Sequence, residues 1–171
     1  MLLGTALFLL CMALLILLRL LPLSSGMTGW PGPDLGLALT FAWVLRRPDQ
    51  IPALAIALAF LVEDLLLLRP IGLWAALMLL ATEAARLREP RWRDQPFMVE
   101  WLRVAMLIGA MTLANRLVLL ISLMPVPALG QVLLQYLATL AAYPPVVFAA
   151  RWLIGLRRSG HGGADVTRQV R

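Results

Sequence analysis

The sequence predicts an all-α integral membrane protein: a six-transmembrane-helix bundle with a short second span. The chain of 171 residues is 61% hydrophobic and 14% charged, and its mean hydropathy is +0.86. A soluble domain carries about 25% charged and about 45–50% apolar residues. The apolar residues also form long runs separated by short polar breaks, and arginines concentrate in alternate breaks. Together these observations predict a chain that lies almost entirely within a lipid bilayer.

Six apolar runs are expected to form helices that cross a hydrocarbon layer about 30 Å thick. The predicted spans cover residues 2–21, 30–45, 51–68, 71–85, 97–124 and 129–156. They would make a single transmembrane helical domain over residues 1–156. Residues 157–171 are Gly-rich and polar, which predicts a disordered cytoplasmic tail.

The first span is apolar except for Arg19. It lacks a basic n-region, and no small-x-small cleavage site precedes Met27, so a retained span is favoured over a signal peptide. In the second span, Asp34 follows Pro-Gly-Pro and is a suitable N-cap for a helix that begins at Leu35. Only about 11 apolar residues separate Asp34 from Arg46, short of the usual ~17–25. A re-entrant segment is therefore the alternative for this element.

The remaining spans are bounded by proline and glycine. The turn Arg69-Pro70-Ile71-Gly72 joins spans three and four, and Pro125-Val-Pro127 closes span five. Pro144 and Pro145 lie within span six, where they remove two amide donors. We expect this helix to kink or break at that point.

The arginines predict the orientation of the bundle. All 15 basic residues are arginine, and the net charge is +6. The connections after spans one and five contain no arginine, and the one after span three contains only Arg69. The arginine-rich segments follow spans two, four and six and contain Arg46, Arg47, Arg86, Arg88, Arg91, Arg93, Arg157, Arg158, Arg168 and Arg171. The positive-inside rule therefore places both termini in the cytoplasm. Because the arginines form no single face, the expected partner is the lipid bilayer and not nucleic acid.

Ionisable residues within the spans are the candidate functional residues. An ionisable group at the bilayer centre costs about 2.5–3.5 kcal/mol or more, and such groups usually pair with one another. The candidates lie in the outer half of the predicted bundle and are Arg19, Glu63, Asp64, Arg69 and Arg116. We expect one acid, Asp64 in preference to Glu63, to pair with Arg116 or Arg69.

Three roles are open for these charges: an ion or proton relay, acid–base chemistry, and a structural ion pair that fixes helix register. A relay usually needs a continuous polar path, which spans two and six do not offer. No nucleophile–base pair or metal-ligand set accompanies the acids, since the one histidine is His161 in the tail and the one cysteine is Cys11. The register role is favoured, and we expect no catalytic residue, metal or cofactor.

Two further patterns have structural and functional interpretations. Small residues spaced four apart, such as Ala55/Ala59 and Ala105/Gly109, suit close helix packing, either inside the bundle or against a partner. Mixed charges cluster near Trp92 and Trp101 in the region after span four and at the start of span five; they include Glu83, Glu89, Asp94, Glu100 and Arg103. This composition is typical of the lipid headgroup zone, with a docking site for a cytoplasmic partner as the alternative.

The stretch from Pro33 to about Leu80 resembles the MreD family of rod shape-determining membrane proteins. The family shows Pro-Asp before a short span, a basic break, and a third span that ends in a GxxxDxxxxxPxG-like segment. This chain has Pro33-Asp34, then Arg46-Arg47, then the segment from Ala59 to Leu73 that contains Glu63-Asp64 and Arg69-Pro70-Ile71-Gly72. Asp64, Pro70 and Gly72 are the positions that carry the motif. Ala59 stands where the family has glycine, and Glu63 is an additional acid.

The resemblance implies a non-enzymatic scaffold in the bacterial inner membrane that belongs to the cell-elongation machinery for lateral wall synthesis. Expected partners are a single-pass MreC-like protein, a RodA-type glycosyltransferase, a class B penicillin-binding protein and the actin-like MreB. The implied fold is similar to that of the substrate-binding subunits of energy-coupling-factor transporters. A small-molecule-binding subunit of a transporter is the alternative function. It requires an outward-facing cavity with convergent polar groups, which the short apolar outer loops argue against.

Overall fold

The structure is a computed structural model that describes residues 2–21, 32–88 and 96–153. The described residues are helical, with no strand among them. The helices are α1 (Leu2–Leu20), α2 (Leu35–Val44), α3 (Ala53–Leu66), α4 (Leu73–Arg88), α5 (Phe97–Ile121) and α6 (Leu129–Leu153), with one 3₁₀ turn at Pro48–Gln50. The predicted tail at 157–171, Trp92 and the basic residues Arg91 and Arg93 lie outside the described residues.

Among the described residues, three helices are long and apolar enough to cross a membrane: α1, α5 and α6. Both α5 and α6 contain 25 residues, which corresponds to about 37 Å of helix. The second predicted span contains a helix of only 10 residues, or about 15 Å. The part of the chain that the structure describes is therefore all-helical and has the features of a membrane protein.

The short helix α2 lies at the centre of the bundle. It begins at Leu35 behind an Asp34 N-cap, as predicted, and every residue from Gly36 to Val44 is buried. It packs chiefly against α6 and also contacts α1 and α4. A helix enclosed by protein on most sides does not need the length of a lipid-exposed span, because its polar ends contact other helices instead of lipid.

One face of α1 packs on this centre, and the rest is exposed. Phe8, Met12 and Ile16 are its buried residues, and the Phe8 ring meets the Trp43 ring edge-on at 5.7 Å between centroids. Gly36 permits the close approach of α1, since a Cβ there would lie 3.2 Å from the Cε of Met12. The wide exposed face of α1 is what a lipid-facing helix requires.

Helices α3 and α4 form the predicted hairpin, which turns at Arg69–Gly72. Leu68 has a φ of 53° and Gly72 a φ of 85°, while the amide of Arg69 donates to the Asp64 carbonyl at 3.0 Å. This geometry is a Schellman-type helix end, in which a residue in the left-handed region reverses the chain. Glycine is the usual residue at this position. Here the residue is Leu68, which is 94% exposed.

Helix α6 is continuous through Pro144 and Pro145, so of the two expected outcomes, a kink or a break, the break is wrong. Pro144 has no amide to offer the carbonyl of Leu140, four residues earlier. The indole N–H of Trp101 on α5 donates to that carbonyl at 3.0 Å instead. A neighbouring helix thus replaces the lost hydrogen bond, which is how prolines are tolerated in membrane helices.

The small-residue pairs belong to the interior of the bundle. Ala55, Ala59 and Ala105 are buried. A Cβ on Gly109 would lie 3.6 Å from the Tyr136 hydroxyl, and this hydroxyl donates to the Ala105 carbonyl at 3.1 Å. Of the two interpretations of these residues, internal packing is the one that the contacts support.

Candidate functional site: two charged clusters and a cavity

Charged residues from four segments lie together at one end of the bundle, which we call the Arg19 end. The segments are α1, α3, the N-cap of α2 and the turn between α3 and α4. The Nη1 atom of Arg19 lies 2.6 Å from Glu63 Oε1 and 3.4 Å from Asp34 Oδ2. Arg69 Nη1 lies 3.8 Å from the same Glu63 oxygen. Glu63 is only 2% exposed, so two arginines share one buried carboxylate. This cluster ties α1 to α3 and to the start of α2.

Asp64 has a different role from the predicted ion pair. Its Oδ2 atom accepts hydrogen bonds from the amides of Gly72 at 3.1 Å and Ala75 at 3.2 Å. It thereby caps the N-terminus of α4 from the preceding helix, where a carboxylate is favoured by the exposed amides and by the helix dipole. The preference for Asp64 as the acid paired with Arg69 is wrong, because Glu63 makes that contact.

The opposite end, called the Arg46 end, contains a second cluster that the sequence reading missed. Arg46 Nη2 lies 3.0 Å from Glu100 Oε1, and the Tyr143 hydroxyl donates to the same oxygen at 2.8 Å. Arg46 is 8% exposed and Glu100 6%, and Tyr143 is fully buried. These residues join α5 and α6 to the segment that follows α2, whereas the sequence placed Arg46 in a basic loop and Glu100 in the headgroup zone.

A signal for this second cluster exists in the sequence, although it is weak. Glu100 is an acid in the first turn of a long apolar helix, and Tyr143 precedes a proline pair on the next helix. Neither feature reveals that both face Arg46. The packing of α2 against α6, and of α5 against α6, brings them together, and this packing cannot be read from a helix that is apolar on all sides.

A cavity of about 680 Å³ opens at the Arg19 end. Its walls come from α4, α5, α6 and the start of α2, together with the turns at Arg69–Pro70 and Met124–Pro127. Helix α2 extends over about 16 Å between its caps, Asp34 and Leu45, whereas α5 and α6 are each about 37 Å long. The short central helix therefore leaves a recess between longer walls. The outer loops are short, as the sequence indicated, but helix faces supply most of the cavity lining, and loop length does not reveal them.

The cavity lining is mostly apolar but carries several polar side chains: Asp34, Arg69, Trp74, Thr112, Asn115, Arg116, Gln131, Gln135, Tyr136 and Thr139. The hydroxyl groups of Thr112, Tyr136 and Thr139 already donate hydrogen bonds to backbone carbonyls. Thr139 donates to the Gln135 carbonyl at 2.7 Å and accepts from the Asp34 amide at 3.0 Å. An apolar recess with a few convergent polar groups is the usual form of a binding site.

Contrary to one of the two expected pairings, Arg116 does not pair with Glu63 or Asp64. Its Nη1 atom donates to the carbonyl of Pro127 at 2.8 Å, across the α5–α6 turn. The structure thus brings Arg19, Glu63, Asp64 and Arg69 together and places Arg116 on the far wall of the cavity. Pro70 lines the cavity mouth, next to Arg69.

Comparison of the chain with family models, with curated proteins and with solved structures gives no match. The resemblance to the MreD family therefore depends on the motif from Pro33 to Gly72 alone. Any function must be argued from the site itself.

Proposed function

We propose that this protein is a non-enzymatic scaffold of the cell-elongation machinery in the bacterial inner membrane, and that it binds a single-pass MreC-like membrane protein. The cavity at the Arg19 end is the observation that carries the proposal. The motif resemblance supplies the biological setting, which includes a RodA-type glycosyltransferase, a class B penicillin-binding protein and MreB as further members of the assembly.

The proposal includes six spans with both termini in the cytoplasm. Arginine-rich segments follow the second, fourth and sixth helices, which assigns the Arg46 end to the cytoplasm by the positive-inside rule. The Arg19 end then faces outward, and the cavity opens at the outer surface. A short central helix inside a ring of longer ones is compatible with the fold of energy-coupling-factor substrate-binding subunits that the family resemblance implies.

The cavity lining suits a segment of polypeptide. Asn115, Gln131 and Gln135 line it, and a side-chain amide offers both donors and an acceptor, as a peptide bond does. Near its mouth stand Leu68 and Leu123, each 94% exposed and each with a positive φ. A leucine in this backbone conformation costs about 1 kcal/mol relative to glycine. Retaining two of them presents apolar side chains outward, where a partner would cover them.

The charged residues are better suited to bracing the bundle than to catalysis. Glu63 is occupied by two arginines, Asp64 caps α4, and Glu100 pairs with Arg46 and Tyr143. A general acid or base must be able to reach a substrate proton. These groups instead hold helices in register, and we assign the protein no enzymatic step.

The test is co-purification with the MreC-like protein of the same genome after co-expression. We expect a stoichiometric complex in detergent with the unmodified chain. Gln135→Trp places an indole in the cavity and should abolish the complex. Leu137→Trp, two residues further along α6 on an exposed face, is the matched control and should retain it. Retention of the complex by both variants would overturn docking in the cavity.

A transporter-type subunit that binds a small molecule is the second candidate, and the cavity volume favours it. A recess of about 680 Å³ falls within the ~300–1,000 Å³ range typical of ligand sites. Native mass spectrometry of the chain purified without a partner distinguishes the two functions. A retained small molecule that Gln135→Trp displaces, together with no complex with the single-pass protein, would favour the second candidate.

A further inference from the structure

The charges that line the cavity are not all balanced. Three of the described charged residues line it, and two of them, Asp34 and Arg69, belong to the cluster at the Arg19 end. Asp34 lies 3.4 Å from Arg19 and Arg69 lies 3.8 Å from Glu63. Their charges are therefore already opposed by neighbouring side chains.

Arg116 is the third charged residue of the lining and differs from these two. Its one hydrogen bond among the described residues is to the Pro127 carbonyl. No carboxylate of a described residue lies within ion-pair distance of its guanidinium. An arginine within a membrane-spanning helix is costly and usually indicates a functional site. The guanidinium also has five N–H donors, so most of its hydrogen-bonding capacity is left for another group.

The surroundings of Arg116 have unused capacity as well. The side-chain amides of Asn115, Gln131 and Gln135 make no hydrogen bond to any described residue. They flank Arg116 along α5 and the facing wall of α6. A planar guanidinium with adjacent amides matches a carboxylate on a peptide, because the guanidinium binds the carboxylate in a bidentate manner and the amides bind the neighbouring peptide groups.

We propose that Arg116 is an anion-recognition residue of the cavity and that the docking segment of the partner places an aspartate or glutamate side chain against it. This inference rests on the proposed scaffold function and adds the chemistry of the docking segment. Residues 22–31 of this chain contain no acidic residue, so they cannot supply the carboxylate. The acids outside the described residues are Glu89, Asp94 and Asp165, which follow α4 and α6, and both of these helices end at the Arg46 end. Charge complementarity therefore favours an acidic polypeptide segment from another protein.

The experiment measures the affinity of the full chain for the co-expressed MreC-like partner in phosphatidylcholine nanodiscs, which carry no anionic lipid. Arg116→Gln should weaken binding about tenfold or more, as expected for loss of a charge-assisted hydrogen-bonded pair. It should also reduce the dependence of affinity on salt. Arg116→Lys should recover part of the affinity. Arg151→Gln removes an exposed arginine of α6 at the Arg46 end and should change the affinity less than twofold.

A charge exchange identifies the acid. Arg116→Glu should abolish binding, and changing one acidic residue of the partner's membrane-proximal segment to arginine should restore it. If Arg116→Gln binds within twofold of the unmodified chain while Gln135→Trp abolishes binding, docking stands and the anion proposal is overturned. If Arg116→Gln weakens binding only in nanodiscs that contain phosphatidylglycerol, and no exchange restores it, the anion is a lipid phosphate and the proposal is also overturned.

Discussion

The Arg46 end and the Arg19 end of the bundle both bury charged residues, but they pair them differently. At the Arg46 end, Glu100 lies 3.0 Å from Arg46 and accepts a hydrogen bond of 2.8 Å from the Tyr143 hydroxyl. At the Arg19 end, two arginines share Glu63, and the Glu63 Oε2 atom is buried without a hydrogen-bond partner among the described residues. Among the described residues, Arg46 has one acid within ion-pair distance, whereas Glu63 has two arginines, so the second cluster is redundant.

This difference corresponds to the position of the cavity. The redundant cluster borders the cavity, and two of its members, Asp34 and Arg69, line it. The cluster of Arg46, Glu100 and Tyr143 joins α5 and α6 to the end of α2, and none of its members lines the cavity. The proposed docking of a partner in the cavity would rearrange its border, where Glu63 can keep one arginine if the other moves. The Arg46 end acts as the anchor from which the walls of the cavity extend.

The largest expected effect comes from breaking the ion pair between Arg46 and Glu100. Glu100→Gln leaves the Arg46 guanidinium buried without a counter-charge, and we expect a loss of about 3 kcal/mol in the free energy of unfolding. Unfolding in mixed micelles with increasing sodium dodecyl sulfate measures it. Glu83→Gln disrupts the Arg86 pair, whose acid is 44% exposed, and should cost less than about 1 kcal/mol. Equal losses in the two variants would contradict the anchoring role.

The next effect concerns the cap of α4. Asp64→Ala removes the acceptor for the amides of Gly72 and Ala75, and we expect a loss of about 1–2 kcal/mol. Asp64→Asn keeps an oxygen acceptor and should cost about half as much or less. The same micelle unfolding series measures both variants. A loss with asparagine as large as that with alanine would show that charge pairing, and not capping, is the role of Asp64.

The smallest expected effect tests the redundancy of the Arg19 end. Arg19→Gln should cost about 1 kcal/mol, because Arg69 still opposes the Glu63 charge and the Arg19 side chain is partly exposed. Arg69→Gln should cost a similar amount, because Arg19 then still opposes the Glu63 charge. The double variant should lose more than the sum of the two, since Glu63 is then buried without a counter-charge. Strict additivity would mean that the two arginines do not share Glu63.

The sequence was a good guide to features that depend on local composition. Long apolar runs predicted an all-helical protein, and the Asp34 cap predicted the start of α2 at Leu35. The Arg69–Gly72 turn likewise follows from proline and glycine at fixed positions. Such features require no knowledge of which helices become neighbours.

Pairing between helices was harder to predict. Glu63 and Asp64 are adjacent, so on a helix they point about 100° apart. One reaches Arg19 and the other reaches α4, and nothing in the local sequence tells which does which. The cavity escaped prediction for the same reason, because faces of several helices form most of its lining together with two turns. Arg46 was assigned to a loop because the central position of α2 is a property of the whole bundle.

The most direct test of the proposed docking site is photo-crosslinking from two positions on α5 in the living cell. A benzophenone amino acid at position 115 would lie in the cavity, and one at position 117, where Leu117 is 50% exposed, would face away from it. We predict an adduct from position 115 to the membrane-proximal segment of the MreC-like protein and none from position 117. Adducts from position 117 alone, with the complex intact, would contradict docking in the cavity.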